Sequence, residues 1–248
     1  MRSVLVFLIL LMVKAVSRTF WRHDIAWVGE LPPGDPWANL RVTAILNHTS
    51  LYEWIWGGSP PARFLWQMAS HGVIPVADTT IDRPLVGVFF RFIARHVVSI
   101  SRERDHTWKE VMSKIDDDRS LVVLAPEGRM MRANGLDKHG KPMTVRGGIA
   151  DILEATPSGR LLLAYSGGLH HVQVPGQRFP RIFKRVRLRL ESLDIPTYRE
   201  QILTQAGAKS FKRAVAEDLE RRRDLYCWED PTQKPGYVPA AAAETSGP

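Results

Sequence analysis

The sequence predicts a single α/β domain, with a central mixed sheet flanked by helices and a hydrophobic N-terminal helix in front of it. Three observations lead there. From Arg41 onward, short apolar runs of strand character alternate with longer amphipathic stretches, the order expected of strands covered by helices. Hydrophobic residues make up 44% and charged residues 24% of 248 residues, which supports a packed core and excludes global disorder. The chain also opens on an unbroken apolar run, Val4 to Val13. With Cys227 as its one cysteine, the chain cannot build a disulfide framework or a cysteine-based zinc site. The formal charge of +8 asks for a polyanionic partner: nucleic acid, anionic lipid or a phosphorylated substrate. Nucleic acid is the weakest of these, because no recognition helix or stacking-aromatic RNA motif is present.

Taken in order, the first element is that apolar run. As a helix its ten residues cover ~15 Å, about half of a ~30 Å hydrocarbon core. Lys14, Arg18 and Arg22 follow, interleaved with Phe20 and Trp21. A monotopic anchor on the cytoplasmic face fits the length, the trailing cations and the aromatic pair. Ala15-Val16-Ser17 also allows a cleaved signal peptide, and a buried helix is the third reading. Residues 1–25 are read as the anchoring helix, 26–228 as the domain, and 229–248, rich in Pro and Ala, as a disordered tail. An anchor of this kind is expected to be separable from a domain that folds without it.

Pro32, Pro33, Gly34 and Pro36 mark a loop. Val42–Leu46 is a short buried strand, and Ser50–Trp56 opens a helix. Arg83–Arg95 is apolar and helical in length, with Pro84 near its start. Val97–Ile100 is a second strand and His106–Ile115 a helix closed by Asp116-Asp117-Asp118. Leu121–Ala125 is the clearest buried strand, stopped by Pro126 and Gly128. Val145–Ala155 is a helix and Leu161–Tyr165 a strand. Val186–Leu190 alternates as a half-exposed strand with its arginines outward, and Ala208–Leu225 is a charged helix.

Chemistry-bearing residues collect where buried strands end, as they do in α/β sites. Asn47-His48 ends the first strand, and Glu53 lies five residues on. That spacing is wrong for one face of a regular helix, but a strand-to-helix turn lets Glu53 reach the imidazole. A carboxylate on one ring nitrogen leaves the other as a base; a histidine capping a helix, beside a surface glutamate, gives the same pattern. Pro126-Glu127-Gly128-Arg129 ends the best strand and leads into a loop carrying Arg132, Lys138 and Lys141. Guanidinium groups there suit phosphate, and a plain β-turn with a solvated basic loop is the alternative. Ser101-Arg102 follows another strand, and Arg146-Gly147-Gly148 opens a helix whose N-terminus suits an anion.

Asn47-His48 with Glu53, Ile100-Ser101-Arg102, Pro126-Glu127-Gly128 and Arg146-Gly147, in that order, resemble the motifs of the glycerolipid acyltransferases, the lysophosphatidic acid acyltransferases among them. The resemblance implies transfer of a fatty acyl group from an acyl thioester, acyl-CoA or acyl carrier protein, to a hydroxyl of a lysophospholipid such as 1-acylglycerol-3-phosphate. It implies His48 as general base oriented by Glu53, and substrate binding by Arg102, Glu127, Gly128, Arg129 and Arg146. It implies a membrane bilayer as partner, and neither a metal nor a bound cofactor. Leu85–Phe92 then lines an acyl tunnel or simply packs in the core. Two residues depart from the pattern: Glu53 stands for the usual Asp, and Arg129 for a Thr or Ser hydroxyl. The second departure motivates a non-phosphate lipid acceptor as the alternative, and a non-catalytic basic membrane-binding protein is the reading outside enzymes.

Overall fold

Residues 22–27, 40–46, 72–77, 96–100, 121–124, 160–166 and 185–194 form strands β1 to β7 of one sheet. The structure is a computed structural model that describes residues 1–50, 52–77, 93–100, 106–115, 118–173, 177 and 179–227. The strand order is β1-β7-β6-β2-β5-β3-β4. The five strands from β6 to β4 run parallel, and β7 reverses against β6. Edge strand β1 pairs parallel with β7. The sheet is therefore mixed, as the sequence predicts.

Strand β2 (Leu40–Leu46) lies at the centre and is buried almost throughout; a parallel strand covered on both faces reads as a continuous apolar run for this reason. In β7 the alternation sends Val186, Leu188 and Leu190 inward and leaves Arg185, Arg187 and Arg189 at least partly exposed. One face of the sheet carries α3 (His106–Ser113), α4 (Gly148–Ala155), α5 (Ile195–Ala206) and α6 (Phe211–Tyr226). The other carries α1 (Arg2–Phe20), a 3-10 helix (Glu53–Gly58) and α2 (Ala62–His71).

Helix α1 lies within the expected residues 1–25 and extends well beyond the apolar run Val4–Val13. It runs for 19 residues, about 28 Å at 1.5 Å per residue, long and apolar enough to cross a membrane. It is nevertheless built into the domain. Val6 and Leu10 are buried in the second core cluster with Trp21, which follows the helix. Ser17 Oγ donates to the Ile55 carbonyl at 2.5 Å, Arg18 Nε donates to the Gly58 carbonyl at 3.0 Å, and Lys14 bonds the Pro60 carbonyl. Its other face leaves Leu5, Leu8 and Met12 in solvent.

Other elements also differ from expectation. The helix expected from Ser50 is a 3-10 helix beginning at Glu53. The helix expected from Val145 begins at Gly148, because the preceding backbone is held elsewhere: Val145 N–H donates to Glu220 and Arg146 N–H to the Pro126 carbonyl. Strands β1 and β3 and helices α2 and α5 are additional to the elements the sequence predicts; β3 contains Pro75, which argues against an interior strand. Residues 83–92 of the expected helix, and the tail from 228, lie outside the described residues.

Candidate active site

At the end of β2 the chain leaves the sheet in a single residue. Asn47 makes the turn with φ of 65°, in the left-handed region that asparagine tolerates better than most. Its Nδ2 donates to the Ser166 carbonyl at the end of neighbouring β6, at 2.8 Å. His48 is thereby set over the C-terminal ends of parallel strands, with 21% of its side chain exposed.

Glu53 opens the 3-10 helix and folds back over this turn. Its Oε1 accepts the Thr49 N–H at 3.0 Å, and its Oε2 lies 2.7 Å from His48 Nδ1. The contact is close but bent, the N–H not aimed along it; such bonds often tighten only when substrate is bound. Burial disfavours the charged imidazole, while the Glu53 carboxylate favours it by charge and contact and Glu127 adds a further negative charge. The balance holds His48 above its ordinary 6.5. The second nitrogen, Nε2, has no protein partner among the described residues.

Glu127 sits in the turn after β5 (Leu121–Leu124), where Gly128 adopts φ of 63° and donates back to the Ala125 carbonyl at 3.0 Å. The resemblance assigns Glu127 to substrate binding; the structure turns it inward, 1% exposed. Its two oxygens accept the backbone N–H groups of Asn47 at 3.2 Å and His48 at 2.8 Å. Arg223 of α6 pairs with the same carboxylate at 3.3 Å and donates to the Met143 carbonyl at 3.1 Å. Burial pushes the Glu127 carboxyl up, against those N–H groups and the Arg223 charge. Glu127 thus ties the end of β5 to the backbone that aims His48.

The basic residues divide. Arg146 is exposed; its backbone is tied to Pro126, and its side chain lies over Gly128, where an added Cβ would stand 3.7 Å from Arg146 Cγ. Arg129 pairs with buried Asp137 in its own loop. The Asp137 carboxyl is pulled down to about 2 by the backbone N–H groups of Lys141 and His139 and by Arg129. That loop is fastened to the site, since Met131 N–H donates to the His48 carbonyl at 2.7 Å. Arg102 lies outside the described residues. Gly128 and Arg146 are therefore brought beside the His48 turn, and Arg129 is held by a carboxylate.

No protein-family model and no curated protein matches the sequence. Among solved structures, the chain matches the crystal structure of the 1-acyl-sn-glycerophosphate (LPA) acyltransferase PlsC from Thermotoga maritima. The TM-score is 0.50 at 18% identity, over 88% of this chain and 80% of that one. The chain has the fold of an LPA acyltransferase. Within that fold, the central buried strands that the sequence predicts are present as parallel neighbours, with His48 following the end of one of them.

Two features of the site escape the sequence. Arg223 reads there as one more charge on a solvated helix face, and nothing marks it as the partner of Glu127. A cleft of about 320 Å³ also opens beside the site, lined by Tyr165, Gly168, Arg187, Arg189, Tyr226 and Cys227. The alternation of β7 shows the arginines, but not the cleft into which the fold gathers them.

Proposed function

We propose that this chain is an O-acyltransferase that moves a fatty acyl group from an acyl thioester, acyl-CoA or acyl carrier protein, to a lysophospholipid hydroxyl, with 1-acylglycerol-3-phosphate as the leading acceptor. The observation that carries the reading is the His48–Glu53 contact of 2.7 Å at the strand end of an LPA-acyltransferase fold. His48 Nε2 takes the hydroxyl proton as the acceptor oxygen attacks the thioester carbonyl. The Glu53 charge stabilises the imidazolium that forms. The tetrahedral intermediate collapses, the C–S bond breaks, and the departing thiolate recovers the proton from His48. The thioester is already activated, so no covalent enzyme intermediate is required.

Arg146, exposed beside Gly128, is the better placed phosphate ligand. The pairing of Arg129 with Asp137 favours a second reading, in which Arg129 only shapes the loop and the acceptor lacks a phosphate. Both readings place the enzyme on the cytoplasmic face of a membrane. A panel of acceptors, with and without a phosphate monoester, incubated with purified full-length protein and an acyl thioester, separates them. Thiol release that depends on the phosphate supports the first reading, and release with neutral or amino-acid lysolipids supports the second. No release above that of His48→Ala with any acceptor and either donor overturns both. If the phosphate is bound here, Arg146→Ala raises the acceptor KM about tenfold or more and leaves the donor KM unchanged.

A further inference from the structure

Phe179, Ile182 and Phe183 stand in solvent at 74%, 46% and 64% of their full exposure, within five positions of one another. Single exposed apolar residues need no explanation, but a contiguous group of large ones marks a contact surface. Residues 181, 183 and 184 of this segment are tied to the rest of the fold. Trp21 Nε1 donates to the Arg181 carbonyl at 2.9 Å, Arg181 N–H to the Val172 carbonyl at 2.7 Å, and Arg22 N–H to the Lys184 carbonyl at 3.0 Å. Phe183 N–H bonds the Phe20 carbonyl at 2.6 Å, and Phe183 itself holds φ of 59°, a conformation unfavourable for a bulky side chain.

This loop continues a second surface. On α1, Leu5, Leu8, Met12, Val16 and Phe20 recur at helical spacing and are all exposed. The Phe20 ring lies 6.2 Å from that of Phe183, so the helix stripe runs into the loop. Around the junction, Arg18, Arg22, Arg181, Lys184 and Arg185 are exposed, and among the described residues Asp24 lies 3.6 Å from Arg185. We infer that the Phe179–Phe183 loop is a second lipid-inserting element, which together with the outer face of α1 seats this chain on an anionic bilayer.

Charge decides the occupant. An apolar ridge with a cationic collar matches acyl chains below and anionic headgroups around, whereas a second copy of the chain would bring the same cations against themselves. The placement gives the contact a use. The loop leads into the start of β7, which runs antiparallel to β6, so it lies at the end of the sheet where His48 emerges. Two contacts, one along α1 and one at this loop, fix the tilt of the molecule and hold that end at the headgroup layer. The inference goes beyond the proposed reaction and is tested without it.

The test is flotation of the full-length protein with phosphatidylcholine vesicles and with vesicles that also contain phosphatidylglycerol, alongside a Phe179→Ser/Phe183→Gly variant. Glycine at 183 relieves the backbone, so a binding loss does not reflect a weakened fold. The wild type is expected to prefer anionic vesicles and to lose that preference in high salt, and the variant to bind at least about tenfold more weakly. A polarity-sensitive fluorophore on Ile182→Cys, with the Cys227 thiol buried, reads the loop directly and separately from any contact made by α1. Its emission is expected to shift to the blue on anionic vesicles. A probe that stays aqueous on membrane-bound protein, or a variant that binds as well as wild type, overturns the inference. So does a loop-dependent dimer without vesicle binding.

Discussion

His48 is largely buried, has the Glu53 carboxylate beside Nδ1 and has no protein partner on Nε2 among the described residues, which is the arrangement a general base requires. His48→Ala is expected to cost 10²–10⁴-fold in kcat, about 3–5 kcal/mol, with the fold intact by circular dichroism. Glu53→Gln should cost less, since the base remains but is poorly oriented. The two also differ in pH profile. His48 titrates above 6.5 in the folded protein, so the active neutral base accumulates only as pH rises through that higher value. The acid limb of kcat/KM should therefore lie above the ordinary imidazole range, and Glu53→Gln should move it down; an unmoved limb would assign it to another group. The sign for stability is the reverse. A raised histidine favours folding below its unfolded value of 6.5 and loses that contribution as pH rises through the folded one. Glu127→Gln leaves Arg223 without its countercharge and weakens the hold on the His48 backbone. It should lower kcat and thermal stability together, by about 1.5–3 kcal/mol in stability, with little change in either KM. The His48–Glu53 pair was legible in the sequence because both residues belong to one local turn. The inward direction of Glu127 was not, because its partner Arg223 lies 96 positions away and only packing brings them together.

At the scale of elements, legibility follows burial. Strands β2, β5 and β6 are covered on both faces and read directly as apolar runs. Edge strand β1, alternately exposed and half-buried, carries no such run, and beyond Val13 helix α1 is fastened by Lys14, Ser17 and Arg18 to the carbonyls of Pro60, Ile55 and Gly58. The 3-10 helix matters most, because it carries Glu53 and rests on α1. Trp54 meets Trp21 edge to face at 5.7 Å, and Gly57 stands where an added Cβ would lie 3.3 Å from Val13. At Gly58 the approach is closer still: a Cβ would come within 2.5 Å of His23 Nε2 and 2.7 Å of Ser17 Oγ. His23 cannot easily give way, since its ring is hydrogen-bonded to Ser17 and Ser59, both at 2.9 Å. Gly58→Ala is thus expected to destabilise by about 1–3 kcal/mol, the usual cost of overpacking. It should also reduce kcat by displacing Glu53. A thermal midpoint and a rate equal to wild type would show that the helix and the carboxylate are not coupled.

Over the whole molecule, α1 packs one face into the fold and leaves an apolar face exposed, and the two faces can be tested separately. Deleting residues 1–22 removes Val6, Leu10 and Trp21 from the second core cluster and uncovers the 3-10 helix beneath them. At about 1.5–3 kcal/mol for each fully buried large side chain, these three alone contribute an amount comparable with the ~5–15 kcal/mol that holds a domain together. The truncated chain is therefore expected to be insoluble or to unfold at a much lower temperature, and not to behave as a free domain released from its anchor. The exposed face predicts the opposite behaviour. Leu5, Leu8 and Met12 contribute little to folding because they remain in solvent. Leu5→Gln/Leu8→Gln/Met12→Gln should then keep the thermal midpoint and the turnover of short-chain, water-soluble substrates, while most of the protein leaves the membrane fraction. If the triple variant unfolds as readily as the truncation, the outer face of α1 packs against protein and the membrane assignment of that face fails. If it stays wholly in the membrane fraction with its fold intact, attachment resides elsewhere, and the Phe179–Phe183 loop is the first element to vary next.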